Sequence, residues 1–232
     1  MSKQQVALIG LDYYETIARI PPGTRSAVFD QIGRDAGLAL PGGTLFSRWQ
    51  QLARASWPLG GPRPPFRTMR DTWTELGEQL LGQFGVRGGG TLVADQSSQM
   101  HAAAQPTTQV LACLHQLAQR HPLALLSDAD AEHLLPSLEA SGLHRHLAQV
   151  LFSEKLQNYK PHIEMFLTLA RSAGVPPQHV LYIGDSPRAD ILGARNAGML
   201  TAWINRSTTP WPPSTPPPDL EVREITDLDP DI

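Results

Sequence analysis

Apolar residues run without interruption through the first predicted strand, and the run ends in a carboxylate. The stretch Val6-Ala7-Leu8-Ile9-Gly10-Leu11 carries no polar side chain, and Asp12 follows it directly. A strand without polar alternation is typical of a parallel sheet, whose strands are buried on both faces. Open α/β sheets bind their ligands at the edge formed by the carboxyl ends of the strands. We therefore predict a buried strand that presents Asp12 at that edge.

The pattern changes between about residues 21 and 100, where apolar residues fall at helical spacing. Two such series are Val28-Ile32-Ala36 and Leu76-Leu80-Leu81-Phe84. Breaks rich in glycine and proline separate the segments, at Pro41-Gly42-Gly43, Leu59-Gly60-Gly61-Pro62 and Gly88-Gly89-Gly90. We predict an all-helical cap subdomain over 19–103, inserted into a core made of 1–18 and 104–232.

From Thr107 onward, predicted helices and strands alternate. The helices are predicted over 107–119, 131–140, 163–173 and 191–197, and the strands over 123–126, 150–152, 180–183 and 200–204. A proline-rich loop at 210–218 leads to a predicted edge strand over 220–225. Such alternation is typical of right-handed βαβ units. The predicted fold class is α/β, with a doubly wound, Rossmann-like parallel sheet as its core.

Composition narrows the classes of function. The 232 residues are 41% hydrophobic and 18% charged, which is typical of a globular chain. The net charge of −3 gives no electrostatic reason to expect nucleic acid as a partner, and no apolar stretch is long enough to span a membrane. The N-terminus lacks the apolar segment of a signal peptide. A single cysteine, Cys113, predicts a cytoplasmic setting and a buried structural thiol.

Polar side chains follow several of the predicted strands. Asp12, Ser127-Asp128 and Gly184-Asp185 each come directly after an apolar run, and Lys160-Pro161 precedes a predicted helix. Alone, an Asp or Ser after a strand is typical of a turn or a helix N-cap, and a Lys before Pro is typical of a solvated surface. Their order along the chain, together with Thr16 four residues after Asp12 and with Asp190, resembles the four motifs of the haloacid dehalogenase-like (HAD) hydrolase superfamily.

The resemblance covers the whole chain and implies a role for each motif residue. Asp12 would be the nucleophile and a metal ligand, with the backbone carbonyl of Tyr14 as a second ligand. The remaining roles that it implies are metal binding by Asp185 and Asp190 and phosphoryl or substrate binding by Ser127 and Asp128. Lys160 would pair with the nucleophile and with the phosphoryl charge, and Thr16 is the catalytic threonine of the first motif. Hard oxygen ligands of this kind suit Mg²⁺. The implied substrate is a small phosphate ester, and we expect a monomer or a homodimer.

The first motif of the family can be aligned with this sequence in two registers. Gly10 could stand at the nucleophile position, with Asp12 as the second residue of the motif. The family's threonine lies four residues after its nucleophile, and Thr16 fits this spacing from Asp12. From Gly10 the same spacing reaches Tyr14. We therefore assign the nucleophile to Asp12.

Tyr14 departs from the pattern of the family's phosphatases, which carry an acidic residue there to protonate the leaving group. A phenol with a pKa of about 10 is a poor general base at neutral pH. The family's 2-haloacid dehalogenases also have tyrosine at this position, but they need no metal and usually lack the Gly-Asp pair seen here at Gly184-Asp185. Three hypotheses remain: a Mg²⁺-dependent phosphatase, a 2-haloacid dehalogenase-like enzyme, and a catalytically impaired module that binds metal or phosphate.

Substrate specificity in this family comes largely from the cap. Candidate contacts there are Arg48, Trp49, Arg54, Trp57, Arg67, Arg70 and Trp73. The arginines could bind a second anionic group and the tryptophans could stack on a ring. The alternative, which we favour for each residue, is that the tryptophans pack the helical bundle and the arginines are solvated. The histidines, including His101 and His133, show no metal-ligand spacing and are predicted to lie at the surface or at helix ends.

Overall fold

A computed structural model of the chain describes residues 6–56, 65–213, 215–229 and 232. The cap candidate Trp57, the Gly60-Gly61-Pro62 break and Ser214 of the proline-rich loop lie outside the described residues. The chain forms two compact units. The first consists of Met1–Arg19, Gln105–Ala129 and Leu138–Ile232, and the second of Ile20–Ala104 and Asp130–Ser137.

The first unit is built on a six-stranded sheet. Its strands are β1 (Leu8–Leu11), β2 (Leu123–Ser127), β3 (Leu147–Phe152), β4 (Val180–Gly184), β5 (Leu200–Ile204) and β6 (Leu220–Val222). They lie in the order β3-β2-β1-β4-β5-β6, and every neighbouring pair is parallel. This arrangement confirms the predicted doubly wound α/β core.

β1 lies in the middle of the sheet because its side chains can be buried on both faces. All four of its residues are buried, and Gly10 pairs with Ala124 on one side and Tyr182 on the other. A Cβ atom at Gly10 would lie 2.8 Å from side-chain carbons of both Leu169 and Tyr182, so only glycine fits between them. Gly10 is therefore a packing position inside the strand. Asp12 is the first residue beyond β1, and its N–H donates to the carbonyl of Ile183 at 2.9 Å.

Within its described residues, the second unit contains four long helices. They are α1 (Thr24–Asp35), α2 (Thr44–Ser56), α3 (Met69–Gly82) and α4 (Gly90–Ala102). The buried side chains that hold them together are Phe29, Ile32, Leu45, Leu80, Leu81 and Val93. Thr68 caps α3 by accepting a hydrogen bond from Asp71 N at 3.0 Å. Among the described residues of this unit the secondary structure is helical, as the spacing of apolar residues predicts.

Further helices connect the strands of the sheet. They are α5 (Thr108–Ala118), α6 (Ala131–Ser141), α7 (Ser153–Leu156), α8 (Ile163–Ser172) and α9 (Gly193–Asn196). The predicted helix over 191–197 begins earlier than expected, as a π-helical turn at Pro187–Leu192, because Ser186 Oγ accepts from Ala189 N at 3.1 Å. The predicted last strand ends at Val222, since Glu224 N donates to Asp227 Oδ2 at 3.0 Å and starts a 3-10 turn.

The predicted burial of two side chains, Cys113 and His133, is wrong. Cys113 is half-buried rather than buried, with its Sγ 3.5 Å from the carbonyl oxygen of Ile225, and desolvation raises the pKa of its thiol. His133 is only 1% exposed, and its ring lies 5.2 Å from that of Trp73, which stacks on His101. Burial, with His101 nearby, lowers the pKa of His133 to about 3. Trp73 itself packs inside the helical unit, as favoured from the sequence.

The helices also bear on the question of membrane insertion. Within the described ranges, none of them combines the length and the apolar character needed to cross a bilayer.

Candidate active site

The loop after β1, Asp12–Ala18, folds back on itself so that Thr16 returns to Asp12. We call it the nucleophile loop. Ile17 N and Ala18 N both donate to the carbonyl of Tyr13 at 2.9 Å, which closes the turn. Thr16 Oγ1 then donates to Asp12 Oδ2 at 2.9 Å, with both residues buried. The spacing of four residues thus has a physical reason: one turn of backbone brings the hydroxyl onto the carboxylate.

Lys160 supplies the positive charge at this edge of the sheet. Its Nζ lies 2.6 Å from both Asp12 Oδ1 and Asp190 Oδ1, and its side chain is only 3% exposed. Burial works against the charge of this ammonium group, but Asp12 and Asp190 outweigh it and raise the pKa of Lys160 well above its ordinary value. Lys160 is therefore a permanent cation that neutralises part of the acidic cluster.

Gly184, the last residue of β4, makes room for Asp190. A Cβ atom at Gly184 would lie 2.3 Å from Asp190 Cγ, so a larger residue would displace that carboxylate. Ser186 N donates to Asp190 Oδ2 at 2.9 Å and fixes the second oxygen. The backbone of Asp185 is held in turn by Trp203, whose Nε1 donates to its carbonyl at 2.8 Å. The sequence Gly184-Asp185 is thus explained by packing as well as by chemistry.

Three carboxylates converge beside Lys160. Asp12, Asp185 and Asp190 each offer an oxygen, and these oxygens lie within 4.8 Å of one another. Burial and the nearby carboxylates of Asp190 and Asp12 raise the pKa of Asp185 to about 8, and burial raises that of Asp190 to about 6 in spite of Lys160. Three carboxyl groups face a single ammonium, and their raised pKa values reflect this shortage of positive charge. Hard oxygen donors that are short of positive charge fit a divalent cation such as Mg²⁺.

Ser127 and Asp128 end β2 and begin the next connection. Ser127 is 1% exposed, and its Oγ has no hydrogen-bond partner among the residues that the structure describes. A buried hydroxyl without a hydrogen-bond partner is energetically costly. Such a group is typical of a site that binds a ligand. Asp128 Oδ1 accepts from Lys160 N at 3.0 Å. Burial raises the pKa of Asp128 to about 7, although Lys160 opposes this.

The structure thus links most of the predicted site residues. Hydrogen bonds join Asp12 to Thr16 and Lys160, and Lys160 to Asp190 and Asp128. Thr16 Oγ1 also lies 3.4 Å from Asp185 Oδ1. Ser127 stands at the end of the strand next to β1, without a hydrogen bond to the cluster. Tyr14 is half-buried in the nucleophile loop, with its ring 5.0 Å from that of Tyr13 in an edge-to-face contact.

Sequence reasoning missed Tyr182. Its hydroxyl donates to the carbonyl of Leu126 at 2.8 Å and lies 3.5 Å from both Lys160 Nζ and Asp190 Oδ1. The residue occupies the middle of an apolar strand, where an aromatic side chain is ordinary core material. Nothing in the hydrophobic pattern distinguishes it from its neighbours.

A second group of ligand-type side chains lies in the helical unit. Asp130, Glu132 and His133 offer atoms within 4.8 Å of one another. Asp130 accepts from the N–H groups of Met69 and Arg70 at the start of α3, at 2.9 and 2.8 Å. Glu132 pairs with Arg70 at 3.2 Å and accepts from Ser98. These carboxylates hold helices together, which explains their position without a metal.

A comparison with families of known proteins assigns the chain. The profile of a family described as haloacid dehalogenase-like hydrolase matches residues 68–204, more than half of the 232 residues. The chain belongs to the haloacid dehalogenase-like (HAD) hydrolases. This confirms the family predicted from the motifs.

Curated relatives of the chain include phosphatases. The chain is 32% identical over 106 residues to a phosphoserine phosphatase of Thermus thermophilus, covering 46% of this chain and 42% of the relative. It is 36% identical over 77 residues to the phosphoglycolate phosphatase of Escherichia coli K12, covering 33% of this chain and 30% of the relative. The matches therefore span less than half the length of either relative.

Solved structures share the HAD fold along almost the whole chain. YfnB of Bacillus subtilis, assigned to the HAD hydrolases and bound to magnesium, superposes with a TM-score of 0.77 at 22% identity, covering 95% of this chain and 96% of its own. The L-2-haloacid dehalogenase of Xanthobacter autotrophicus superposes with a TM-score of 0.74 at 22% identity and 96% coverage of both chains. At these identities the likeness establishes the fold.

Proposed function

We propose that this HAD hydrolase is a Mg²⁺-dependent phosphatase that hydrolyses a small phosphorylated metabolite through an aspartyl-phosphate on Asp12. The observation that carries the proposal is the convergence of Asp12, Asp185 and Asp190 beside Lys160. A haloalkane carbon needs no such excess of metal-ligating carboxylate, whereas a phosphoryl group brings negative charge that must be neutralised. The phosphatase names of the curated relatives support the same choice.

The residues that would hold the metal are Asp12, Asp185, the backbone carbonyl of Tyr14, and Asp190 directly or through water. Bound Mg²⁺ would supply charge neutralisation for the phosphoryl oxygens. Asp190 is already fixed by Ser186 N and Lys160. It is therefore a rigid member of the proposed set.

In the first half of the reaction, an oxygen of Asp12 attacks the phosphorus atom of the ester. A bond forms between that oxygen and phosphorus, and the bond from phosphorus to the ester oxygen breaks. Thr16 and Lys160 hold the two carboxylate oxygens of Asp12 from different directions, which orients the nucleophile. Ser127 Oγ would donate its hydrogen bond to the transferring phosphoryl group.

In the second half, water attacks phosphorus and the bond from phosphorus to the Asp12 oxygen breaks. One proton of the water passes to a phosphoryl oxygen, which gives inorganic phosphate and regenerates the Asp12 carboxylate. Family phosphatases use an acid two residues after the nucleophile to protonate the leaving group and then to activate this water, and here the position holds Tyr14. We therefore propose a substrate whose leaving group needs little protonation. Phosphate esters of phenols or enols meet this requirement, and so do acyl phosphates. Simple alkyl phosphates do not.

A 2-haloacid dehalogenase is the second candidate, and Tyr14 is the observation that favours it. A halide leaving group needs no protonation, so the dehalogenase reaction does not require an acid at the position of Tyr14. Several structural neighbours carry the name L-2-haloacid dehalogenase. A catalytically impaired module that binds metal or phosphate is the third candidate.

One experiment separates these three functions. The purified protein is given p-nitrophenyl phosphate and, separately, 2-chloropropionate, each with Mg²⁺ and with EDTA. Phosphate release that stops with EDTA would support the phosphatase, and chloride release that survives EDTA would replace it by the dehalogenase. If neither product forms, a filter-binding measurement of phosphate or Mg²⁺ tests the binding module.

The proposed setting is the cytoplasm, where the single thiol of Cys113 would stay reduced. The proposed partner is the small-molecule substrate alone, bound by a monomer or a homodimer. No role for nucleic acid is proposed, because the net charge is −3.

A further inference from the structure

Arg206, which none of the HAD motifs includes, reaches across the first unit to the nucleophile loop. Its Nη2 donates to the carbonyl of Thr16 at 2.7 Å, and its Nη1 donates to the carbonyl of Glu15. The loop therefore has two successive carbonyl groups bound by one guanidinium. Arginine is suited to this because its donors form a rigid planar fork.

The guanidinium is itself held from the other side. Arg206 Nε lies 2.9 Å from both carboxylate oxygens of Glu224, and the Arg206 side chain is 15% exposed. Asn205, the residue before Arg206, also helps to orient the guanidinium. Asn205 is 5% exposed, donates to the carbonyl of Thr209 at 2.9 Å and accepts from Thr209 N at 2.9 Å, which fixes the turn after β5.

Arg206 binds the part of the nucleophile loop whose backbone conformation is unfavourable. Glu15 has a φ angle of +61°, a left-handed conformation that is uncommon for a residue other than glycine. Its carbonyl and the next one point to Arg206, while the side chain of Thr16 points to Asp12. A continuous path of contacts therefore runs from Glu224 through Arg206 and the Thr16 backbone to Asp12 Oδ2.

We propose that Arg206, braced by Glu224, is a positioning residue that holds Glu15 and Thr16 so that the Thr16 hydroxyl orients Asp12 for attack. The inference rests on the proposed function for its kinetic consequence, and on the loop contacts alone for its structural one. Because Arg206 touches neither substrate nor metal in this assignment, its loss should lower the rate of the chemical step and leave substrate binding largely unchanged.

The test compares Arg206→Gln and Glu224→Gln with the control Arg171→Gln, which breaks an exposed ion pair between Arg171 and Glu164 at 2.9 Å. Hydrogen exchange of the full-length protein is followed at the amides of Ile17 and Ala18, which are bonded within the loop. We expect exchange about 10-fold faster in Arg206→Gln and a smaller change in the same direction in Glu224→Gln, with amides of β4 unchanged. The control should match the wild type.

With p-nitrophenyl phosphate, the kcat of Arg206→Gln should fall ~10- to 100-fold while KM stays within about twofold, and Arg206→Lys should recover part of the loss. Unchanged exchange at Ile17 and Ala18, or equal acceleration in the loop and in β4, would overturn the proposal. If Arg206→Gln does not fold, Glu224→Gln decides by the same exchange criterion. Failure of the proposed function looks different: the wild type then releases no phosphate, while the exchange result stands.

Discussion

The ammonium group of Lys160 lies 2.6 Å from Asp12 Oδ1, and both side chains are buried. The contact joins residues 148 positions apart in the sequence. It leaves Asp12 Oδ2 to Thr16, so each oxygen of the carboxylate has its own donor. The pair is structural and chemical at once, because it orients the group that would attack phosphorus and balances part of the charge of the acidic cluster.

Replacement of Lys160 by Met should therefore destabilise the fold as well as abolish turnover. The variant leaves Asp12 and Asp190 buried without their cation, and removal of one partner from a buried ion pair typically costs several kcal/mol. We expect a loss of about 3 kcal/mol in the free energy of unfolding at pH 8, measured with urea. Arg171→Gln, at an exposed pair, should lose less than about 1 kcal/mol. Equal losses in the two variants would contradict this role.

Asp12→Asn should abolish turnover and keep the fold. The amide is almost isosteric with the carboxylate and keeps one acceptor oxygen, but it is not a nucleophile. We expect phosphate release from p-nitrophenyl phosphate to fall by at least ~1,000-fold. Thermal unfolding and the far-UV spectrum report on the fold. The exposed Asp35→Asn on α1 is the control, and activity in Asp12→Asn equal to that of this control would remove Asp12 from the mechanism.

Tyr14→Asp should restore the missing acid. General acid catalysis typically contributes 10²- to 10⁴-fold, and most for a leaving group of high pKa. We expect a rise of at least ~10-fold for an alkyl phosphate and a smaller one for p-nitrophenyl phosphate. Tyr14→Phe, which removes the hydroxyl without adding an acid, should show neither gain. If the two substrates gain equally, the added carboxylate acts on binding and not on the leaving group.

Asp128 predicts a pH dependence of stability. Burial raises its pKa from 3.8 to about 7, so between these values the folded chain keeps a proton that the unfolded chain has lost. The contribution of this group to stability is therefore full below about pH 4 and is lost as the pH rises through about 7. Asp128→Asn stays neutral and still accepts from Lys160 N. In EDTA, its stability relative to the wild type should rise by roughly 2 to 4 kcal/mol between pH 4 and pH 8, measured by urea unfolding. A difference that does not change with pH would contradict the raised pKa.

Local patterns account for what the sequence predicts correctly. The apolar run before Asp12 specifies a strand buried on both faces, and the spacing to Thr16 follows from one turn of backbone. The apolar spacing of α8 and the glycine that ends β4 are likewise local features of neighbouring residues. The family follows because these local features recur in a fixed order.

Contacts between distant segments account for what is missed. Arg206 binds carbonyl groups about 190 positions earlier in the chain, and no local pattern indicates that an arginine after β5 turns toward the nucleophile loop. His133 is misassigned for a related reason. It lies on a helix whose exposed and buried faces both carry polar residues, and only the packing of Trp73 and His101 against it shows that it is buried.

The indole of Trp203 gives this protein a built-in optical probe. Its Nε1 is bonded to the carbonyl of Asp185, and its ring lies 4.8 Å from that of Trp211. An ion that binds Asp185 would change the environment of the Trp203 indole, which is hydrogen-bonded to the Asp185 carbonyl. Titration of the emission intensity with Mg²⁺ would thus give a dissociation constant without a label or a substrate. The same titration serves variants that turn nothing over, so that affinity for the ion and speed of reaction become separable quantities.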